Sequence, residues 1–271
     1  MAAAARAWCC GLEDAGRRLR YALLEEERDA LNADWIVLGH HAGDLSEDVL
    51  LRLTRGAGWP GLGGMPARDG ARRLLRPLLF SAPGSLRDIL RHLGVGWRED
   101  ASNASHAFRR NRLRHDVLPL LRRENPALER SNVTLHRLAS LDAAFWEETL
   151  SRALAAHPWQ EVRPNGAPGL LLPRELLEDL HPAARLRLYV RACRALALEK
   201  REGSGSAGQP RATTLLKLEA ALREGRGNTR FQLPGGVEAR LRAGSILFTR
   251  PLQSPRSKAR AASVTPRTSR P

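Results

Sequence analysis

Two clusters of residues in this sequence have the types and spacing to do chemistry. The first is Gly39-His40-His41-Ala42-Gly43-Asp44-Leu45-Ser46-Glu47-Asp48. Two histidines, Asp44 and Glu47 converge where a short apolar run ends and a helical pattern begins. A helix N-terminus there suits an anion. Asp44 followed by Glu47 is also nearly a helix capping box, a structural role far commoner than catalysis. The second cluster is Phe108-Arg109-Arg110-Asn111-Arg112-Leu113-Arg114-His115, preceded by Trp97-Arg98-Glu99-Asp100-Ala101-Ser102-Asn103. On a helix Arg109 lies near Arg112, and Arg110 near Arg114. Each pair presents two guanidinium forks to phosphate groups. The alternative is a solvated charged face, with Glu99 and Asp100 holding some arginines in ordinary ion pairs.

The elements that must position these clusters follow from periodicity. Leu19, Leu23, Leu24 and Leu31 recur at helical spacing over 12–31. Asp34 to Gly39 is a short continuous apolar run, which suits a parallel strand covered on both faces. A helix follows from about Leu45 to Arg55, so the order is that of an α/β sheet, whose ligands bind at the strands' carboxyl ends. Residues 56–65 form a glycine-rich loop, and 74–80 suggest another strand. A helix from Ser85 to Leu93 has Ser85 as N-cap and Asp88 three residues on. Asn103 to Leu121 is mostly helix, with Pro119 in its last turn.

Beyond Pro126 a long helix reaches about His157, with Leu128, Leu135, Leu138, Leu141 and Phe145 as its apolar stripe. Pro158 to Pro168 is a loop. Residues 173–198 make two helices separated by His181-Pro182, and Gly203 to Gly208 is a flexible linker. A helix over Thr213–Arg223 precedes a small β-meander at 229–233, 237–242 and 246–249. The tail from Pro251 is basic and rich in Ser, Thr and Pro, the composition of a disordered segment.

Composition narrows the partners. The 271 residues carry Lys+Arg 44 against Asp+Glu 29, a net charge of +15. Such a surplus draws polyanions over long range, and arginine grips phosphate with a fork that lysine lacks. Part of the surplus is equally the Arg-rich translation of a high-GC genome. Cys9, Cys10 and Cys193 form no C-x-x-C pair, so neither a zinc knuckle nor a disulfide framework is suggested, which fits a reducing cytosol. No apolar run approaches the roughly 20 residues that span a bilayer.

Several motifs in register resemble the tRNA(Ile)-lysidine synthetase family of the ATP-pyrophosphatase, or PP-loop, group. Glu13 to Tyr21 is similar to that family's segment ending in Arg-Tyr. His40-His41 with Asp44 and Glu47 resembles its His-His-x-Asp-Asp-x-x-Glu-Thr motif. Arg55-Gly56-x-Gly58, Gly61-Leu62, Gly64-Met65, Arg76-Pro77-Leu78-Leu79, Arg98-Glu99-Asp100-x-Ser102-Asn103 and Arg110-Asn111-Arg112-x-Arg114-His115 follow in order, across roughly residues 13–121. Leu233-Pro234-Gly235-Gly236 resembles part of the family's second domain.

The resemblance implies a ligase that uses ATP and Mg²⁺ to adenylate the wobble cytidine of tRNA(Ile) with a CAU anticodon. The ε-amine of free L-lysine then displaces AMP, and the product is lysidine. It implies a catalytic set of Asp44, Glu47 and His41, with Asp44 as a magnesium ligand. Substrate and nucleotide would be bound by His40, Arg55, Arg110, Asn111, Arg112, Arg114 and His115. The expected fold class is α/β: an incomplete Rossmann-like (adenine nucleotide alpha hydrolase-like) parallel sheet domain over 1–125, then a long linking helix and a small α+β tRNA-binding domain over 126–250. A disordered tail would fill 251–271. The expected setting is cytoplasmic, with no membrane partner, and a homodimer is compatible with it.

The sequence departs from the family pattern in two places. No Ser-Gly-Gly-x-Asp-Ser loop, which wraps the pyrophosphate of ATP, occurs in these residues, and on the order of 80–100 residues with two parallel strands are expected upstream. Unpaired strand edges are an aggregation hazard, so the first domain is expected to be poorly stable alone. Within the motif, Gly43 stands where the family has the first Asp, Leu45 where it has Gln, and Asp48 where it has Thr. Three readings follow: a fragment or late start, a degenerate inactive relative, or a chain that keeps tRNA binding as a separate role. The first is preferred. The competing functions are a non-catalytic tRNA-binding module and a tRNA-thiolating relative, the latter disfavoured because such enzymes rely on paired cysteines.

Overall fold

The computed structural model describes residues 2–8, 10–98, 105–198 and 210–250. Cys9, the Glu99-to-Asn103 part of the acidic motif, the 203–208 linker and the tail from Pro251 lie outside the described residues. The chain divides into two compact units, 1–147 and 148–271.

In the first unit α1 (Ala2–Ala7) and α2 (Leu12–Ala30) precede β1 (Ile36–Val37), and α3 (Ala42–Thr54) follows. β2 (Arg68–Asp69) and β3 (Leu74–Leu75) complete a three-stranded sheet in the order β1-β3-β2. β1 runs parallel to β3, whereas β2 is antiparallel to it. Tyr21 of α2 packs with Ile36 and Leu74, flanked by Leu24 and Leu38. One face of the strand is thus buried. Val37 on the other face is 64% exposed, so the expected two-sided cover is not found. Leu23 and Leu31 of the predicted α2 stripe also face solvent.

Two helix boundaries differ from those the sequence predicts, both because of proline. The helix expected from Ser85 is α4 (Pro83–His92), with Ala82 as a cap that makes no side-chain bond. Proline fits the first helical turn, having no N–H to leave unpaired. Asp88, the expected capping partner, bonds Arg91 instead. The single helix expected over 103–121 is α5 (Arg109–Arg112), a π turn over Leu113–Val117, and α6 (Leu118–Glu124). Pro119 sits in the first turn of α6 rather than the last turn of a longer helix. Its ring can neither donate to nor clear the carbonyl four residues back, and the preceding ladder widens to i→i+5.

The long helix α7 (Leu128–Ala156) forms as expected, but of the expected stripe Leu135 packs inward while its C-terminal members do not. Val133 and Leu135 pack on Leu45, Val49 and Leu79. Leu138, Leu141 and Phe145 are more than half exposed, while His136 and Ala139 are buried. The cause is Gly63 in the glycine-rich loop. A Cβ built there would stand 2.3 Å from the Cβ of Ala139, so this contact admits only small groups.

The second unit is an antiparallel sheet in the order β4-β5-β8-β7-β6. Its strands are β4 (Gln160–Val162), β5 (Gly169–Leu172), β6 (Arg230–Leu233), β7 (Val237–Arg242) and β8 (Ser245–Thr249). The meander β6–β8 matches expectation. β4 occupies residues expected to be loop, and β5 was not foreseen. Helices α8 (Arg174–Glu178), α9 (Pro182–Leu198) and α10 (Ala212–Arg223) accompany the sheet. Tyr189 of α9 lies against Phe248 of β8 with ring centroids 6.0 Å apart. Glu219 of α10 accepts from Arg185 at 2.5 Å and from the Tyr189 hydroxyl at 2.9 Å. No helix among the described residues is long and apolar enough to cross a membrane.

Candidate active site

The site begins with how α3 starts. His41 has extended backbone, and its Nδ1 accepts from the amides of Gly43 at 3.1 Å and Asp44 at 3.4 Å. Asp44 Oδ2 in return accepts from the His41 amide at 3.0 Å. This reciprocal capping box fixes Asp44 in the first turn and leaves Oδ1 to face outward. The Ala42 amide donates to the carbonyl of Ser81 at 3.0 Å, and the Leu38 amide to that of Leu75 at 2.8 Å. Asp44 therefore sits beyond the carboxyl ends of the parallel pair β1 and β3. Glu47, one turn on, shares its helix face.

The arginine helix meets these carboxylates. Arg110 donates through Nε to Glu47 Oε2 at 2.5 Å and through Nη2 to Asp44 Oδ1 at 2.6 Å. Arg114 donates through Nε to Glu47 Oε1 at 2.5 Å, through Nη2 to Glu47 Oε2 at 3.1 Å, and lies 3.5 Å from Asp44 Oδ1. The Glu47 side chain is only 3% exposed. Burial opposes the charge on Arg110, yet Glu47 and Asp44 outweigh it and hold that guanidinium above its ordinary pKa. Two carboxylates and two guanidiniums thus neutralise one another in a partly buried setting, where removing any one leaves an uncompensated charge.

Around this centre lie groups with unfilled hydrogen bonds. His40 Nδ1 is buried without a partner. Burial holds the His40 imidazole below its usual pKa; Asp44 pulls the other way, and Arg76, Arg110 and Arg17 add to the lowering. Arg76 is 5% exposed; its Nη1 donates to the Pro66 carbonyl at 2.7 Å while its Nε has no partner. Ser46, fully buried between the two carboxylate positions, accepts from Asn132 of α7 at 2.9 Å.

A divalent cation does not fit these donors as they stand. Every oxygen of Asp44 and Glu47 already faces an amide or a guanidinium. Among the described residues no group of three His, Cys, Asp or Glu could hold a metal ion.

Residues 1–121 match the PP-loop domain family. The tRNA(Ile)-lysidine synthase of Nitratidesulfovibrio vulgaris is 45% identical over 256 residues, which is 90% of this chain and 71% of that relative. The chain belongs to the tRNA(Ile)-lysidine synthase family. The Salinispora tropica protein of the same name is 36% identical, with 87% of this chain and 67% of the relative covered. The Geobacter sulfurreducens one is 38% identical over 146 residues, and the chain spans only 31% of its length.

Of the residues the sequence nominated in this family member, Asp44, Glu47, Arg110 and Arg114 come together, with His40 beside them. His41 serves as the cap of α3. Arg55 is the C-cap of α3, roughly 16 Å along the helix from Asp44 at 1.5 Å per residue. Arg112 donates to the carbonyls of His106 and Ala107, bracing the turn before α5. Asn111, buried, donates to the Ser105 carbonyl at 2.8 Å. The His115 ring lies tilted against that of His106, centroids 5.7 Å apart. Sequence reasoning missed Ser46, Arg76 as a buried cation, and Asn132 and His136 of α7. The last two sit four apart on the helix, one turn from each other, in a mostly polar run that gives no signal of burial.

Proposed function

We propose that this chain serves in the ATP-dependent ligation of lysine to the wobble cytidine of tRNA(Ile) with a CAU anticodon. The observation that supports it is the Asp44–Glu47–Arg110–Arg114 cluster at the carboxyl edge of β1 and β3. In this reading the base oxygen at carbon 2 attacks the α-phosphate of ATP and pyrophosphate leaves. The lysine ε-amine then attacks carbon 2, AMP departs with that oxygen, and the amine loses a proton.

The residues have distinct parts to play. The carboxylates of Asp44 and Glu47 orient the incoming ammonium, exchanging it for part of their guanidinium contacts. Arg110 and Arg114 hold the carboxylates in place and offset their pull on the amine's proton, so that the amine can lose it before attack. The basic surface steers the RNA. Magnesium and a cytoplasmic setting enter this proposal through the family resemblance, and no step is assigned to the metal.

Lysine transfer to tRNA(Ile) tests the proposal. The chain joined to a segment carrying Ser-Gly-Gly-x-Asp-Ser is expected to incorporate labelled lysine in the presence of ATP. The 271 residues alone are expected to bind tRNA without turnover. Incorporation that is absent from the joined protein, or independent of ATP, contradicts the proposal.

A further inference from the structure

Phe80 lies between β3 and α4, next to Ser81, whose carbonyl receives the first amide of α3. Phe80 is 41% exposed. Arg137 of α7 stands over it with Cζ 5.7 Å from the ring centroid. The His136 ring is tilted 50° to it, centroids 5.4 Å apart. Phe80, His136, Arg137, Ser140 and Leu141 line an open surface depression of about 450 Å³. Small-ligand pockets span about 300–1,000 Å³.

The floor of the depression is preset. His136 Nδ1 is 2.8 Å from the Gly63 carbonyl, so that nitrogen carries the proton. Ser140 Oγ donates to the His136 carbonyl at 2.8 Å and lies 3.4 Å from Nε2. No carboxylate lines the depression, and the chain carries a charge of +15. A partly exposed aromatic ring under an arginine becomes a stacking surface for a base of single-stranded RNA when the guanidinium swings off the ring to a phosphate.

We propose that this depression holds one unstacked base of an RNA loop, stacked on Phe80, with Arg137 engaging the neighbouring phosphate. The inference rests on the proposed function for the choice of a tRNA anticodon loop as ligand. It adds a base subsite on α7, alongside the Asp44–Arg110 cluster and separate from it.

The test places 2-aminopurine at each loop position of the tRNA(Ile) anticodon stem-loop in turn and titrates it with the full chain. One position is expected to be quenched on binding. Phe80→Leu, which keeps bulk but not the π face, is expected to abolish that quench and weaken binding by roughly 5- to 150-fold, the range of a lost base–aromatic stack. Phe80→Tyr is expected to restore both. Arg137→Gln, on the helix surface, is expected to weaken binding and flatten its salt dependence; it serves if Phe80→Leu unfolds. Unchanged quench and affinity in Phe80→Leu and Arg137→Gln, with wild-type binding intact, overturns the subsite and leaves the proposed function standing. So does a Phe80→Leu effect on self-association alone, which makes the depression a contact between copies of the chain. Failure of the wild-type chain to bind the loop overturns both.

Discussion

Arg110 Nε donates to Glu47 Oε2 at 2.5 Å, across 63 residues of sequence. This bond and its Arg114 counterpart join the two clusters into one neutral centre. Removing the shared acceptor leaves two half-buried guanidiniums without their main partner. Glu47→Ala is therefore expected to destabilise the first unit by about 3–5 kcal/mol. Arg114→Met, which leaves Glu47 still bonded to Arg110, is expected to cost less. Urea midpoints at constant slope measure both, and an Ala variant as stable as the wild type rules out a close pair.

His40 gives a pH dependence. Its folded pKa is lowered, chiefly by burial. The unfolded chain therefore takes up that proton first as pH falls. The stabilising contribution is complete above about pH 6.5, the ordinary histidine value, and is lost as pH drops from there toward the folded pKa. Ring-proton shifts are expected to show His40 titrating below the ordinary histidine value, and His40→Gln is expected to reduce the acid-side loss of stability. Titration of His40 at or above the ordinary value contradicts this.

Gly63 and Ala139 make a contact that tolerates no added atom. Gly63→Ala forces the glycine-rich loop off α7 and is expected to cost about 1–3 kcal/mol, the usual range for overpacking. Adding Ala139→Gly opens the space again. Recovery in the double variant beyond additivity checks the contact, and simple additivity refutes it.

The placement of each element explains what could be read from the sequence. Helical spacing of leucines marked α2 and α10, and the alternation of β7, with Val237, Ala239 and Leu241 buried, marked the meander. β4 was hidden because Gln160, Glu161 and Val162 lie between prolines and bury little. The face of α7 was misassigned because its partner is a glycine-rich backbone, which selects Ala139 over neighbouring leucines. Asp44, Glu47, Arg110 and Arg114 were legible as charge types at helical spacing, yet their juxtaposition depends on chain folding over 63 residues or more. The role of His41 was not legible, since histidine is an uncommon N-cap beside Ser, Thr, Asp and Asn.

In the second unit, Glu219 is 6% exposed and serves both Arg185 and Tyr189. Burial first, and then the Glu219 carboxylate, push the Tyr189 hydroxyl well above its ordinary pKa, so it stays a donor. Glu219→Ala is expected to destabilise this unit by about 3–5 kcal/mol, as for other broken buried pairs. Tyr189→Phe removes a single hydrogen bond and is expected to cost about 1 kcal/mol. Thermal unfolding orders the two, and a reversed order contradicts the assignment of Glu219 as the hub.

The central claim is that the carboxylates of α3 and the arginines of α5 and its π turn act as one lysine-handling site. A double-mutant cycle on the KM for lysine tests it most directly, using Glu47→Gln and Arg114→Gln in the chain joined to a Ser-Gly-Gly-x-Asp-Ser segment. The expected result is strong non-additivity: each single change raises KM at least tenfold, and the double variant is scarcely worse than Glu47→Gln alone. Independent effects that multiply, or a lysine KM indifferent to both changes, would show that the two groups do not share a site.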